Sequence, residues 1–312
     1  MKVNICLSTY NGEDFLSEQI ESIQAQSFQD WRLLIRDDAS TDKTREIIQD
    51  FEALDSRVCW INKGEDKNIG FVASFFELVH YEEADFYFFS DQDDIWERWK
   101  LELMLDEAKK YKFEIPTLFY TNYKIVDKNL KILYEGMLRK PLKELRDFLT
   151  LNSVNGWTMM INHRLLEYWK SVDSLDFHDW YLAELAATIG QVIYIDHLTG
   201  YYRQHDKNKV GIHSSKLKNL SVGLIESWDL IEACRQRASK ILKISELEVS
   251  KEKQKMLEDF LILGNQKFTR RIFLVLKYRY IRMNWSASIK LHFLLVTNWG
   301  YKSWKKKKKK KK

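Results

Sequence analysis

Along residues 1–122 the apolar positions switch regularly between two patterns. Short, nearly continuous apolar runs predict strands buried on both faces: Val3–Ser8, Trp31–Arg36, Val58–Asn62, Phe86–Ser90 and Thr117–Thr121. Between them, apolar residues recur at helical spacing. Leu16, Ile20 and Ile23 make one stripe, and Ile47, Ile48, Phe51 and Leu54 a second. Val72, Phe75, Phe76 and Val79 make a third, and Leu101, Met104, Leu105, Ala108 and Tyr111 a fourth. This strand–helix order predicts an α/β fold with a mostly parallel, Rossmann-like sheet flanked by helices. The stripes read as core-facing sides of those helices.

Residues 123–213 are less regular. Lys124–Leu133 predicts a hairpin around Asp127-Lys128-Asn129, and Asn155–Ile161 a loop feeding a strand. A helix opens at Phe177-His178-Asp179-Trp180-Tyr181 and continues to Ile189. Val192–Ile195 and Leu198–Arg203 read as two further strands. From about Ser214 the pattern is helical. The chain therefore divides into an α/β domain over 1–213, a helical, basic and aromatic region over 214–304, and a poly-lysine tail over 305–312. That tail is low in complexity and is expected to be disordered when unbound.

Charge changes the picture of the C-terminal region. The net charge is +5, yet no acidic residue follows Asp259, and sixteen Lys and Arg lie beyond it. The first 259 residues therefore carry −11. A basic, aromatic segment after an acidic body points to a polyanion, either nucleic acid or an anionic membrane surface. The longest apolar stretch there, around Phe293–Val296, is far short of the ~18–20 residues of a membrane span. Interfacial helices on an anionic membrane fit best, with an ordinary packed appendage or an oligomer contact as the plain alternatives. The N-terminus runs straight into a strand with no secretory h-region. Cys6, Cys59 and Cys234 show no metal spacing and fit a reducing cytosol.

The chemistry concentrates at strand ends. Phe86–Ser90 runs into Asp91-Gln92-Asp93-Asp94, three carboxylates in four residues. Taken alone, this is a solvated turn with Asp94 as a helix cap. Three other strand ends carry polar clusters: Ser8-Thr9-Tyr10-Asn11-Gly12, Asp37-Asp38-Ala39-Ser40-Thr41-Asp42 and Asp66-Lys67-Asn68-Ile69-Gly70. All should meet at one sheet edge, where open α/β sheets bind ligands. A hard divalent cation holding a diphosphate would relieve the repulsion among the acids. No G-x-G-x-x-G and no P-loop is present, which argues against a dinucleotide dehydrogenase and a P-loop nucleotidase.

In this order, these motifs resemble glycosyltransferase family 2, whose members have the GT-A fold, over about residues 1–210. Ser90-Asp91-Gln92-Asp93-Asp94-Ile95-Trp96, Asn155-Gly156-Trp157-Thr158-Met159-Met160 and Tyr202-Arg203-Gln204-His205 are similar to bacterial rhamnosyltransferases of cell-wall polysaccharide synthesis. The resemblance implies an inverting, metal-dependent enzyme that transfers L-rhamnose from a dTDP- or UDP-sugar donor, dTDP-L-rhamnose above all, to a lipid-linked saccharide acceptor. It would work as a peripheral protein on the cytoplasmic face of the membrane.

The same resemblance implies residue roles. Thr9, Tyr10, Asn11 and Asn68 would belong to the nucleotide site, Asp38 would bond the pyrimidine base, and Asp91 would approach the ribose. Asp93 and His205 would ligate Mg²⁺ or Mn²⁺. Asp179 would be the general base, or a helix cap, or both. Trp157, Trp180 and Tyr181 would stack on acceptor sugar, with burial in the core as the plain alternative. Two other classes compete: a sugar-1-phosphate nucleotidyltransferase, which usually carries a Gly-rich basic loop absent from Ser8–Gly12, and a non-enzymatic membrane- or nucleic-acid-binding protein. Acids in the body would repel nucleic acid, so none is expected as a partner.

Overall fold

β1 (Val3–Thr9), β2 (Trp31–Asp37), β3 (Val58–Trp60) and β4 (Phe86–Ser90) form a parallel block in the order β3-β2-β1-β4. α1 (Leu16–Gln24), α2 (Thr44–Leu54) and α3 (Phe71–Tyr81) connect them. The computed structural model describes residues 1–136, 141–173, 175–206, 220–244, 248–282 and 284–309. β4 is buried along its whole length, as its unalternating aromatic run predicts. The α1 and α3 stripes face the sheet, with Leu16, Ile20 and Ile23 on one and Val72, Phe75 and Val79 on the other buried.

Beyond β4 the sheet becomes mixed. β5 (Ile95–Trp96) is a two-residue strand, followed by α4 (Lys100–Ala108) and β6 (Thr117–Asp127). β6 turns into β7 (Ile132–Glu135), the expected hairpin, whose turn is held by Asp127 Oδ1 accepting from Asn129 N (2.9 Å) and Lys131 N (3.0 Å). Next come α5 (Leu145–Phe148), β8 (Met159–Asn162), α6 (His163–Leu166) and α7 (His178–Ile189). β8 is inserted antiparallel between β4 and β6. β9 (Gln191–Gln204) then runs parallel to β6 and antiparallel to β5. Two strands were expected over its length. They merge into one because the chain absorbs the interruption as irregular register opposite Asn122, without leaving the sheet.

α7 ends at Gly190, where a Cβ would lie 1.9 Å from the Pro116 carbonyl oxygen, so only glycine lets the two backbones pass. The C-terminal region is helical as expected: α8 (Leu220–Leu242), α9 (Lys251–Ile262), α10 (Phe268–Tyr278), α11 (Trp285–Thr297) and α12 (Tyr301–Lys309). Ser250 caps α9 and Asn284 caps α11 through their side chains. These helices are continuous with the sheet's second core layer, in which Trp180 and Leu185 of α7 meet Trp228, Ile231, Phe260 and Leu294. The expected boundary at residue 213 lies outside the described residues.

Two expectations change. The tail is helical through Lys309, with Trp304 Nε1 donating to Asp229 Oδ1 (2.9 Å) and Lys308 pairing with the same carboxylate. The second is the plain alternative for the acidic turn, set aside above, and it too fails: α4 begins only at Lys100, and Asp94 is fully buried in the turn before β5. No helix among the described residues is long and apolar enough to cross a membrane.

Candidate active site

The four polar strand ends do meet, and hydrogen bonds between them form the site. Gln92 clamps the β1 loop with both ends of its amide: Tyr10 N donates to Oε1 (2.7 Å), and Nε2 donates to Tyr10 O (3.0 Å). The amide lies so close that a Cβ on Gly12 would sit 2.5 Å from Oε1, so a side chain there would push the Gln92 clamp aside. Asn11, in the left-handed region at φ 49°, bridges to the β2 loop: its N donates to Ser40 Oγ (2.8 Å), and its Oδ1 accepts from Thr41 N (2.9 Å). The β2 loop in turn holds the loop before α3. Asp38 accepts from Ile69 N (2.7 Å) and Gly70 N (2.9 Å), and Asn68 Nδ2 donates to Asp38 O (2.8 Å).

Several expected nucleotide-site residues are thus committed within the protein. Thr9 is buried with its hydroxyl on Asp37 Oδ1 (3.0 Å), so it builds the loop's foundation and does not line a pocket. Asp38 is buried and also accepts from Arg36 Nη1 (2.9 Å). Three of the roughly four acceptor positions of a carboxylate are filled, leaving one on Oδ2. Tyr10 is 51% exposed at the mouth of a cavity of about 440 Å³, lined also by Asn11, Gln92, Asp93 and His205.

Asp93 and His205 come together across the sheet, with His205 Nε2 2.9 Å from Asp93 Oδ2. Arg203 makes this possible. Its buried guanidinium donates to Asp93 O (3.0 Å) and Lys128 O (3.0 Å) and pairs with Glu18, while its backbone N donates to Asp94 Oδ1 (3.2 Å). The end of β9 is thereby fastened to the acidic turn, and the His205 ring packs on Phe15 at 4.8 Å. The carboxylate suits Mg²⁺ or Mn²⁺, and the imidazole favours Mn²⁺ over the harder Mg²⁺. Among the described residues no third His, Cys, Asp or Glu completes a protein-only cage. The donor set therefore fits a cation whose remaining ligands come from a diphosphate and water.

The electrostatics agree with that need. Burial, then the charges of Asp93 and Asp179, push Asp91 up to about 7. Burial, then Asp93 and Asp91, raise Asp94 well above the usual carboxylate range. Asp179 lies in the first turn of α7 and accepts from Trp180 N (2.6 Å). It is not the cap expected: the helix begins one residue earlier, with Phe177 at the N-cap.

The three aromatics expected to stack on acceptor sugar are corrected by burial. Trp157 is 1% exposed and packs against Tyr123 and Tyr202; Tyr181 is 3% exposed. Trp180 is 9% exposed, with its indole N–H on Phe148 O (2.6 Å) and the Arg237 guanidinium 3.8 Å above its ring. All three side chains are taken up by the core.

Lys100 was not expected here. It is fully buried, donates to Trp157 O (2.6 Å), and lies 3.8 Å over the Trp96 ring and 4.7 Å over Trp157. Burial drives its ammonium pKa well down, against the opposing pull of Asp94 and Asp91. A signal for it exists in the sequence: Lys100 falls on the apolar stripe of α4, four residues before Met104 and eight before Ala108. Gln92 and Arg203 sit inside recognised motifs but carry no local signal of the loops they hold.

Residues 4–169, more than half of the chain, match the family described as glycosyl transferase family 2. The chain belongs to that family. It is 30% identical to the dTDP-rhamnosyl transferase RfbG of Shigella flexneri over 239 residues, 71% of this chain and 79% of that one. It is 28% identical to WfgD of Escherichia coli, a UDP-Glc:alpha-D-GlcNAc-diphosphoundecaprenol beta-1,3-glucosyltransferase, over 73% of this chain and 85% of the other. Among solved structures, S. aureus TarS 1-349 in complex with UDP-GlcNAc aligns with a TM-score of 0.58 at 16% identity, covering 95% of this chain and 82% of that one. The GT-A-like α/β fold and a glycosyltransferase role follow, and the two competing classes fall away.

Proposed function

We propose that this glycosyltransferase is an inverting, metal-dependent rhamnosyltransferase that moves L-rhamnose from dTDP-L-rhamnose to a lipid-linked saccharide acceptor. The observation that carries the mechanism is the Asp93–His205 pair at the end of the central strand; the charge of Asp179 also raises Asp91. The likeness to RfbG supports the donor, and the diphosphoundecaprenol in the WfgD name supports a lipid-linked acceptor at a membrane surface.

Asp93 and His205 would hold the divalent ion that the donor diphosphate needs. When bound, Mg²⁺ or Mn²⁺ supplies Lewis-acid neutralisation of the leaving group's charge. Asp38 offers its remaining Oδ2 acceptor position to the imide N–H of the base, Asp91 faces the ribose, and Tyr10, Asn11 and Asn68 shape the surrounding loops. The Asp179 carboxylate takes the proton of the acceptor hydroxyl as its oxygen bonds the anomeric carbon and the nucleoside diphosphate departs. At the start of α7 the helix dipole favours the ionised, proton-accepting form of Asp179. A single base and attack from the face opposite the leaving group invert the anomeric centre.

The test is a panel of nucleotide sugars with and without Mn²⁺, read by thermal shift and by release of the nucleoside diphosphate. A selective stabilisation by dTDP-L-rhamnose with Mn²⁺ is expected, because a ligand that binds only the folded state raises its stability by mass action. Preference for another nucleotide sugar would overturn the donor assignment.

A further inference from the structure

We propose that the outer face of α11 is a membrane-insertion surface for an anionic lipid leaflet. Trp285, Ile289 and Phe293 follow one another at four-residue spacing, so they lie in one row about 12 Å long. All three are exposed, Trp285 at 81%. The Trp299 ring extends the row, 6.1 Å from Phe293 and edge-on to it. The opposite side of the same helix is conventional core, with Leu291, Leu294 and Leu295 buried. α11 is therefore apolar on two sides, and among the described residues only one of them is covered by protein. A contiguous exposed apolar row of this kind marks a protein or membrane contact.

Charge decides between those two occupants. α10, packed beside α11, exposes Phe273 and Leu276 together with Arg270 and Lys277. From Phe260 to Lys312 there are sixteen Lys and Arg and no Asp or Glu. A second copy docking through the same face would press two such regions together, whereas an anionic leaflet complements the charge and accepts the aromatic row. Tryptophan suits this position, because its ring settles at the headgroup boundary. This deepens the reading of a lipid-linked acceptor and rests on it: a peripheral enzyme held through α11 meets a substrate confined to the same membrane.

The test uses the full chain and vesicles of phosphatidylcholine with or without phosphatidylglycerol. The variants are Trp285→Ser and the triple Trp285→Ser/Ile289→Ser/Phe293→Ser. These side chains are exposed, so both variants keep the wild-type melting temperature. Wild type is expected to sediment with the anionic vesicles and less so at high salt, and the triple variant to bind them at least about tenfold more weakly. Turnover of the donor with a water-soluble acceptor, followed in parallel, reports on the proposed transfer separately and should not change. Equal binding of wild type and triple variant would overturn the inference. So would a wild-type dimer in solution that the triple variant abolishes, because the row would then be a protein interface.

Discussion

His205 Nε2 lies 2.9 Å from Asp93 Oδ2, although 112 residues of chain separate them. The contact joins the last strand of the sheet to the turn after its central strand, and Arg203 holds the two ends in place. We predict that these side chains share a divalent cation. Mn²⁺ binding in the presence of nucleoside diphosphate, measured by calorimetry, should weaken by at least about tenfold in His205→Ala and further in Asp93→Ala, each losing a direct ligand. Transfer should stop in EDTA and return with Mg²⁺ or Mn²⁺. Full activity in EDTA would contradict the assignment.

Lys100 is buried within the electrostatic influence of Asp94 and Asp91, and Asp94 Oδ2 has no hydrogen-bond partner among the described residues. Lys100→Met keeps most of the apolar stem but removes the donor to Trp157 O. Denaturant unfolding should show a loss of about 1–3 kcal/mol, the cost of buried polar groups left unsatisfied. A variant as stable as wild type would show that this hydrogen bond stabilises nothing.

His178 sets a pH dependence. Its ring is buried against Phe75 (4.3 Å) and Phe89 (5.3 Å), neither nitrogen has a hydrogen-bond partner among the described residues, and burial lowers its pKa to about 3. The unfolded chain takes up a proton near pH 6.5, whereas the folded chain resists it. Stability from this group is therefore complete above about pH 6.5 and declines as pH falls toward 3. Between pH 7.5 and 5.5 wild type should lose about 1–1.5 kcal/mol more than His178→Phe. Parallel pH profiles of the two proteins would refute this.

The central strand and its acidic turn were legible because an unalternating aromatic run and clustered carboxylates are local signals. Hairpin and helix starts followed for the same reason. Three kinds of error share one cause, the absence of distance information in a linear pattern. Trp157, Trp180 and Tyr181 were given acceptor-stacking roles through the resemblance, with burial as the alternative, and tertiary packing buries them. Asp94 has the composition of a cap, yet it answers Arg203, 109 residues away. Thr9 sits in the nucleotide motif, but its hydroxyl is held by Asp37 on the neighbouring strand. The Asp93–His205 pairing was expected from resemblance, and only the sheet order, with β9 reached through β8 and β6, explains how it forms.

The central claim is that Asp179 takes the acceptor proton in an inverting transfer. Asp179→Asn keeps the shape and the oxygen that accepts from Trp180 N, and it loses the basicity. The decisive measurement is turnover of this variant against its donor affinity, with the anomeric configuration of the wild-type product read by NMR. The account predicts near-normal donor and metal binding, a turnover lower by ~10²–10⁴-fold, and an inverted product. Turnover within a few fold of wild type, or a product that retains the donor's configuration, would contradict it.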